Sequence, residues 1–168
     1  NLKVSALDAL IELTEQPTLT MLSLDSNNLG GSIPSAIYLL TTLEELKISH
    51  NGFSGTLSSD IGKLTNLQRL ECSGNSLTGQ LPMTIGNLRS LQEFLAGENE
   101  FGGTLPPQLN QLSELRSLEL QQVIASGGID GRLPAYQNLG QLTSLKLDSN
   151  QLTGSLPDEF LANSVKTA

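Results

Sequence analysis

The stretch 67-LQRLECSGNSLTGQLP-82 decides how the rest of the chain is read. Its leucines fall at 67, 70, 77 and 81, an asparagine stands at 75, and Gly79 and Pro82 close it. Moving 24 residues back gives 43-LEELKISHNGFSGTLS-58, and moving 24 forward gives 91-LQEFLAGENEFGGTLP-106. Asn27, Asn51, Asn75 and Asn99 keep the same interval, and so do Leu19, Leu43, Leu67, Leu91 and Leu115. A further copy, 142-LTSLKLDSNQLTGSLP-157, starts at Leu142. Each unit approximates L-x-x-L-x-L-x-x-N-x-L-x-G-x-[IL]-P, with Ser58 standing where proline is expected.

A fixed period of this length marks a repeat architecture. The alternating L-x-L turns two apolar side chains to one face of a short strand. One such strand cannot bury its face alone, so similar units stack into a parallel sheet over a continuous leucine core. The asparagine falls where the chain turns away from the strand. Its amide can satisfy backbone groups of that turn and of the neighbouring repeat, making a ladder along the stack. Gly31, Gly55, Gly79, Gly103, Gly131 and Gly154 recur where positive φ or close approach is needed. The prolines then fix φ as the chain starts its return. The segment 83-MTIGNLRS-90 and its equivalents are expected to be short helical or 3-10 turns, with Ile85 and Leu88 facing the core.

These units resemble the leucine-rich repeat family, and within it the plant-type form marked by the L-x-G-x-I-P tail. The resemblance covers about residues 19–160, with repeats starting at 19, 43, 67, 91, 115 and 142. It implies an α/β fold: a right-handed leucine-rich repeat solenoid with a parallel β-sheet on the concave face and short helical or 3-10 turns on the convex side. It also implies likeness to the ectodomains of receptor-like kinases and receptor-like proteins, and to polygalacturonase inhibitors. Residues 1–18 read as a helical cap or as the tail of a preceding repeat, and 19–168 as the array. The segment 4-VSALDALIELTEQP-17 has apolar residues at helical spacing, and Leu13 lies 24 before Ile37, so both readings of the N-terminus stand. The chain starts and stops within the pattern, as expected for a piece of a longer protein.

Composition agrees with such a core. Tryptophan is absent and aromatics make up 4% of the 168 residues, so the interior must rest on leucine and isoleucine. The net charge of −8 argues against nucleic acid and against an anionic membrane surface, both of which attract Lys/Arg patches. No apolar run reaches the roughly 18 residues of a membrane-spanning helix. Cys72, the only cysteine, occupies a leucine slot and reads as a small buried hydrophobe. No N-x-[ST] acceptor occurs.

By the resemblance, ligands dock on the concave face, on residues lying between the leucines. Column by column these are Met21, Glu45, Arg69, Glu93, Ser117, Ser144; then Ser23, Lys47, Glu71, Leu95, Glu119, Lys146. The next two columns are Asp25, Ser49, Ser73, Gly97, Gln121, Asp148, and Ser26, His50, Gly74, Glu98, Gln122, Ser149. Neighbouring strands lie roughly 4.8 Å apart, so Glu45–Arg69–Glu93, Lys47–Glu71 and Glu119–Lys146 are expected to pair. Leu95 is expected to face solvent among charges, and Asp25, Glu98 and Asp148 to lack a basic neighbour. The candidate binding residues are therefore Lys47, His50, Arg69, Glu71, Glu93, Leu95, Glu98, Glu119, Gln121, Gln122 and Lys146. No cofactor, metal cluster or nucleophile–base set is suggested. The carboxylates of Glu93 and Glu119, on neighbouring strands, are the one pair that could suggest glycoside hydrolysis. On an open face they lack the burial that tunes such groups.

The period breaks once. In 118-LELQQVIASGGIDGRLP-134, four residues enter before the proline and one leaves after it, and Val123 replaces the asparagine. A loop insertion is expected at about 123–131, with Val123, Ile124, Ser126, Ile129, Asp130 and Arg132 as further candidate contacts beside the concave surface. The overall expectation is a non-catalytic module that recognises a protein or peptide, extracellular or at the cell surface, touching neither nucleic acid nor, in this segment, a membrane. A secreted inhibitor of a wall-degrading glycosidase and a structural surface repeat without a discrete ligand are the alternatives.

Overall fold

The computed structural model describes residues 18–122 and 128–158. The expected strands form one six-stranded parallel sheet, each strand three residues long: Met21–Ser23, Glu45–Lys47, Arg69–Glu71, Glu93–Leu95, Ser117–Glu119 and Ser144–Lys146. Sequence order is spatial order, and the register joins Leu22, Leu46, Leu70, Phe94, Leu118 and Leu145 across the sheet. That apolar column points inward, while the residues flanking it are exposed or half-buried.

On the opposite side the chain returns through 3-10 helices at Ser35–Leu39, Ser59–Lys63, Met83–Asn87 and Pro107–Gln111. Each follows an extended residue, Pro34, Ser58, Pro82 or Pro106. Ser58 does what the proline does elsewhere: its hydroxyl oxygen accepts the Asp60 N–H at 3.1 Å, capping the turn. Ile37, Ile61, Ile85 and Leu109 point from these helices into the core, followed by Leu40, Leu64, Leu88 and Leu112. The helices pack so closely that a Cβ on Gly62 would lie 2.7 Å from Thr84. The α/β leucine-rich repeat solenoid is thus as the repeats implied.

The sequence reading did not foresee a second layer of strands. Gly30–Gly31, Gly52–Thr56, Ser76–Gly79 and Glu100–Phe101 form one parallel sheet, and Gly103–Thr104, Ile129–Arg132 and Gln151–Thr153 another. The L-x-G tails carry the signature of glycine turns. Gly31, Gly55, Gly79, Gly103, Gly131 and Gly154 do take φ between 68 and 87°, yet the residues around them pair across repeats.

The asparagine ladder is present. Asn99 shows a complete rung. Its Nδ2 donates to the carbonyls of Cys72 (3.0 Å), Ala96 (3.0 Å) and Gly97 (3.2 Å), and its Oδ1 accepts the Leu77 N–H (3.0 Å). Asn51 and Asn75 repeat the arrangement, each reaching one repeat back. Asn150 bonds Leu120 O and Ile129 N–H in the same way. No asparagine among the described residues links the inner turns of the fourth and fifth repeats.

The irregular repeat keeps its strand. Ser117, Leu118 and Glu119 pair in register with Ser144, Leu145 and Lys146. Eleven positions separate Leu118 from Ile129 where seven separate Leu46 from Phe53, so all four extra residues lie between those two points. Ile129 is already back in the core at 1% exposure. The compensating loss falls between Leu133 and Tyr136, three positions apart where Ile33 and Ile37 are four apart. Tyr136 fills the slot of Ile37, and turns at 137–141 replace the 3-10 helix. The expected N-terminal cap, 1–17, lies outside the described residues.

Two consequences are measurable. Asn99→Ala strips partners from a buried N–H and a buried carbonyl, each costing about 1–3 kcal/mol, so urea unfolding should show a loss of about 3 kcal/mol. Among the described residues Asn27 bonds only Leu24 O and Asp25 O, within its own turn, and it is exposed. Asn27→Ala should cost under about 1 kcal/mol. Cys72 is fully buried, and burial pushes its thiol up to about 12. It should resist a thiol reagent at pH 8 in the folded chain and react once urea unfolds it; fast native reaction would refute the burial.

Candidate functional site

The six-stranded sheet presents the columns of side chains read from the sequence, and the expected charge pairs form. Arg69 is the hub. Its Nε and Nη2 meet Glu93 Oε2 and Oε1 at 2.9 and 3.1 Å, and its Nη1 lies 3.2 Å from Glu45 Oε2. Lys47 bridges Glu45 at 3.2 Å and Glu71 at 3.6 Å. Lys146 meets Glu119 at 2.9 Å. The hydrogen bonds from Arg69, with its positive charge, hold the Glu93 carboxyl below the usual carboxylate range. Its bonds to Glu93 raise Arg69 in turn, and the bond to Glu45 raises Lys47. Glu93 and Glu119 are thus each committed to a cation.

Leu95 sits between Glu71 and Glu119 in register. The sequence places it facing solvent; it is half-buried. Gln122 is corrected further. Counted as a surface residue, it is 3% exposed, and its Nε2 donates to Leu120 O at 3.3 Å. It thereby serves one of the carbonyls that Asn150 also reaches. A glutamine can turn its amide back into the turn, which the column pattern alone does not show. Gln121 remains at the surface, lying across Gly97 where any Cβ would stand. His50 lies over Gly74 in the same manner.

Three acids were expected to lack a basic neighbour, and among the described residues Asp25, Glu98 and Asp148 form no ion pair. They are not equivalent. Asp25 Oδ1 accepts the Ser49 N–H at 2.6 Å and so belongs to the repeat stacking. Glu98 and Asp148 are exposed, and their side chains accept no hydrogen bond among the described residues.

Of the loop candidates, Val123, Ile124 and Ser126 lie outside the described residues. Ile129 is corrected: its N–H bonds Asn150 Oδ1 and its side chain is core. The apolar slot after each asparagine (Leu29, Phe53, Leu77, Phe101) is what Ile129 resumes. Asp130 and Arg132 are exposed on the same second-layer strand, with Arg132 lying along Gly154.

One feature of the surface was missed. Ser26, His50, Glu98 and Ser149 have φ of 54, 51, 56 and 59°, with Gly74 at 64° in the same column. The chain must bend sharply here so that the next residue, asparagine, can fold back onto the carbonyls two and three positions earlier. The four are all exposed as a result. Gly74 in that column was the available signal, since glycine takes positive φ freely.

The Arg69–Glu93 pair fixes a pH dependence. The folded-state carboxyl of Glu93 is lowered, so its contribution is present above the unfolded value and is lost as pH falls through the folded one. Arg69→Met should destabilise by about 1 kcal/mol or less at pH 7, and the gap should close on acidification below pH ~4. A gap that persists at pH 2 would mean that Arg69 acts through packing alone.

The sequence profile of the Leucine Rich Repeat family matches residues 18–40, 42–64, 66–88 and 141–162, leaving out the two repeats around the insertion. No curated protein matches the chain. Among solved structures, the ectodomain of the Arabidopsis thaliana receptor kinase GASSHO1/SCHENGEN3, in complex with CASPARIAN STRIP INTEGRITY FACTOR 2, is 35% identical with a TM-score of 0.83. That match covers 89% of this chain and 18% of the other. The plant peptide hormone receptor RGFR1, in complex with RGF2, is 34% identical with a TM-score of 0.81, over 89% and 24%. The BIR3–SERK2 complex of Arabidopsis thaliana gives 32% and 0.70, over 80% and 69%. The chain therefore spans about a fifth to a quarter of the first two ectodomains. It belongs to the leucine-rich repeat family, in the plant-type form found in receptor kinase ectodomains.

Proposed function

We propose that the chain is a non-catalytic recognition module of a cell-surface or secreted leucine-rich repeat protein, taking a peptide or protein on its concave sheet. One observation carries the reading. The sheet is rigidly registered by leucines and asparagines, while the side chains between them serve no core and differ from repeat to repeat. A surface that is fixed in position and free in composition is suited to binding. Similar repeats in GASSHO1/SCHENGEN3 and RGFR1 were solved with CASPARIAN STRIP INTEGRITY FACTOR 2 and RGF2, which supports a peptide-sized partner.

Leu95 is the apolar contact this reading needs. Around it Glu71 and Glu119 are already paired with cations, so a partner can cover it without stranding an unpaired charge. Short linear peptides selected on the chain from a random display library should lose about tenfold or more in affinity on Leu95→Arg, which puts a desolvated charge at the contact. Selected peptides that bind Leu95→Arg and wild type equally, by fluorescence anisotropy, would move the site off this sheet.

A further inference from the structure

Of the asparagines that tie the repeats together, one is followed by glycine. Asn51–Gly52 is the only Asn–Gly pair in the 168 residues; Asn75, Asn99 and Asn150 precede Ser76, Glu100 and Gln151. The turn does not demand this glycine. Gly52 is not among the glycines at positive φ, and serine, glutamate and glutamine fill the same slot in other repeats. With no side chain in the way, a glycine nitrogen can reach the carboxamide carbon of the preceding asparagine and close a five-membered ring. The fold holds both reacting groups away from that step. Asn51 Nδ2 donates to Leu24 O (2.9 Å), Ile48 O (3.2 Å) and Ser49 O (3.0 Å), and its Oδ1 accepts the Leu29 N–H at 3.2 Å. The Gly52 N–H, whose proton ring closure must remove, donates to Leu29 O at 2.6 Å. Leu24 and Leu29 belong to repeat one, so the restraint lasts only while the junction between repeats one and two is closed.

We propose that Asn51 is a fold-gated deamidation site: when the junction between repeats one and two opens, its side chain cyclises onto Gly52, and the junction cannot close again. In the step, the Gly52 nitrogen attacks Asn51 Cγ. The N–Cγ bond forms, the Cγ–Nδ2 bond breaks, and ammonia leaves with the proton from the Gly52 nitrogen. Water then opens the succinimide at either carbonyl, giving aspartate or isoaspartate at position 51. Solvent water is the sole co-reactant, and nothing is oxidised or reduced. Either product removes the rung. A carboxylate has no proton to donate to Leu24 O, Ile48 O and Ser49 O, and it sets a negative charge against all three. Isoaspartate also adds a carbon to the main chain, which puts the fully buried Phe53 out of step with its close-packed slot. Repeat one, which carries the strand Met21–Ser23, then stays detached from the stack. The chain thereby keeps an irreversible mark of having opened at this end.

Incubating the 168-residue chain at pH 8, with and without urea, and mapping its peptides by mass spectrometry tests the idea. In urea the peptide holding Asn51 should convert to aspartate and isoaspartate ahead of every other asparagine. In the folded chain it should convert at least about tenfold more slowly, because the rung must open first. Asp25→Ala removes the 2.6 Å bond from the Ser49 N–H across the same junction. It should speed conversion in the folded chain about threefold or more and leave the rate in urea unchanged. Thr42→Val, which loses the 2.7 Å bond to Leu19 O, serves the same purpose if circular dichroism shows Asp25→Ala unfolded. Gly52→Gln, which copies Asn150–Gln151, should suppress conversion in urea. After conversion and refolding, the Leu24 and Ser26 amides, which donate to Lys47 O and Ser49 O, should lose protection from hydrogen exchange, while repeats three and four keep theirs. Conversion as fast in the folded chain as in urea, or unmoved by a folded junction variant, overturns the gate. Protection at Leu24 and Ser26 that survives conversion overturns its one-way character.

Discussion

A carboxamide three atoms deep joins each repeat to the one before it, and the rest of the structure depends on that joint. Leucines alone would give a stack held by non-directional burial, free to slide by a residue or to splay. The asparagine removes that freedom. Its Nδ2 collects two carbonyls of its own turn and one of the preceding repeat, and its Oδ1 takes an N–H from the preceding repeat's second-layer strand. Inner sheet, turn and second layer are thereby tied at one point. At Asn99 two of these backbone groups, Ala96 O and the Leu77 N–H, depend on the asparagine, while Gly97 O and Cys72 O also accept from the Gly74 N–H and Asn75 Nδ2. The cost is a residue at positive φ before each asparagine, about 1 kcal/mol or more where it is not glycine. The chain accepts it at Ser26, His50, Glu98 and Ser149.

Fixing the backbone this way frees the sheet surface. Side chains between the leucines are constrained only by one another, and charge is how they constrain one another here. Arg69 and Lys47 pull the carboxylates of three repeats, Glu45, Glu71 and Glu93, into one network, each link weak because it is half in water. In that network three carboxylates share two cations. Beyond it Lys146 meets Glu119 alone, so the pairing continues past the irregular repeat as a single bridge.

How much of this was legible depended on whether a property repeats. The inner strands, the ladder, the core slots and the ion pairs follow from period and register, and period is visible in one sequence. The second-layer strands were not, because L-x-G carries a turn signature and its pairing partners are the equivalent residues of neighbouring repeats, not anything local. Gln122 was misplaced because a column assignment assumes a constant side-chain direction, and the asparagine that holds that direction is missing from its repeat. Leu95 is legible in register but not in depth: register fixes which face a side chain takes, not how closely its neighbours crowd it.

The irregular repeat shows what the solenoid tolerates. An insertion confined to one turn leaves the strands on both sides in register, because the leucine core and the second layer resume at Ile129. The core cannot tolerate a shifted slot, so the single deletion is absorbed elsewhere, between Leu133 and Tyr136, where a larger side chain reaches the position that isoleucine or leucine fills in other repeats. The two changes have different physical limits. Added length at the turn costs only loop entropy, which grows slowly with size, whereas a shortened return must give up its 3-10 helix and be refilled by volume. Repeat five can therefore carry new chain at the end of its inner strand, beside Gln121, without disturbing the sheet.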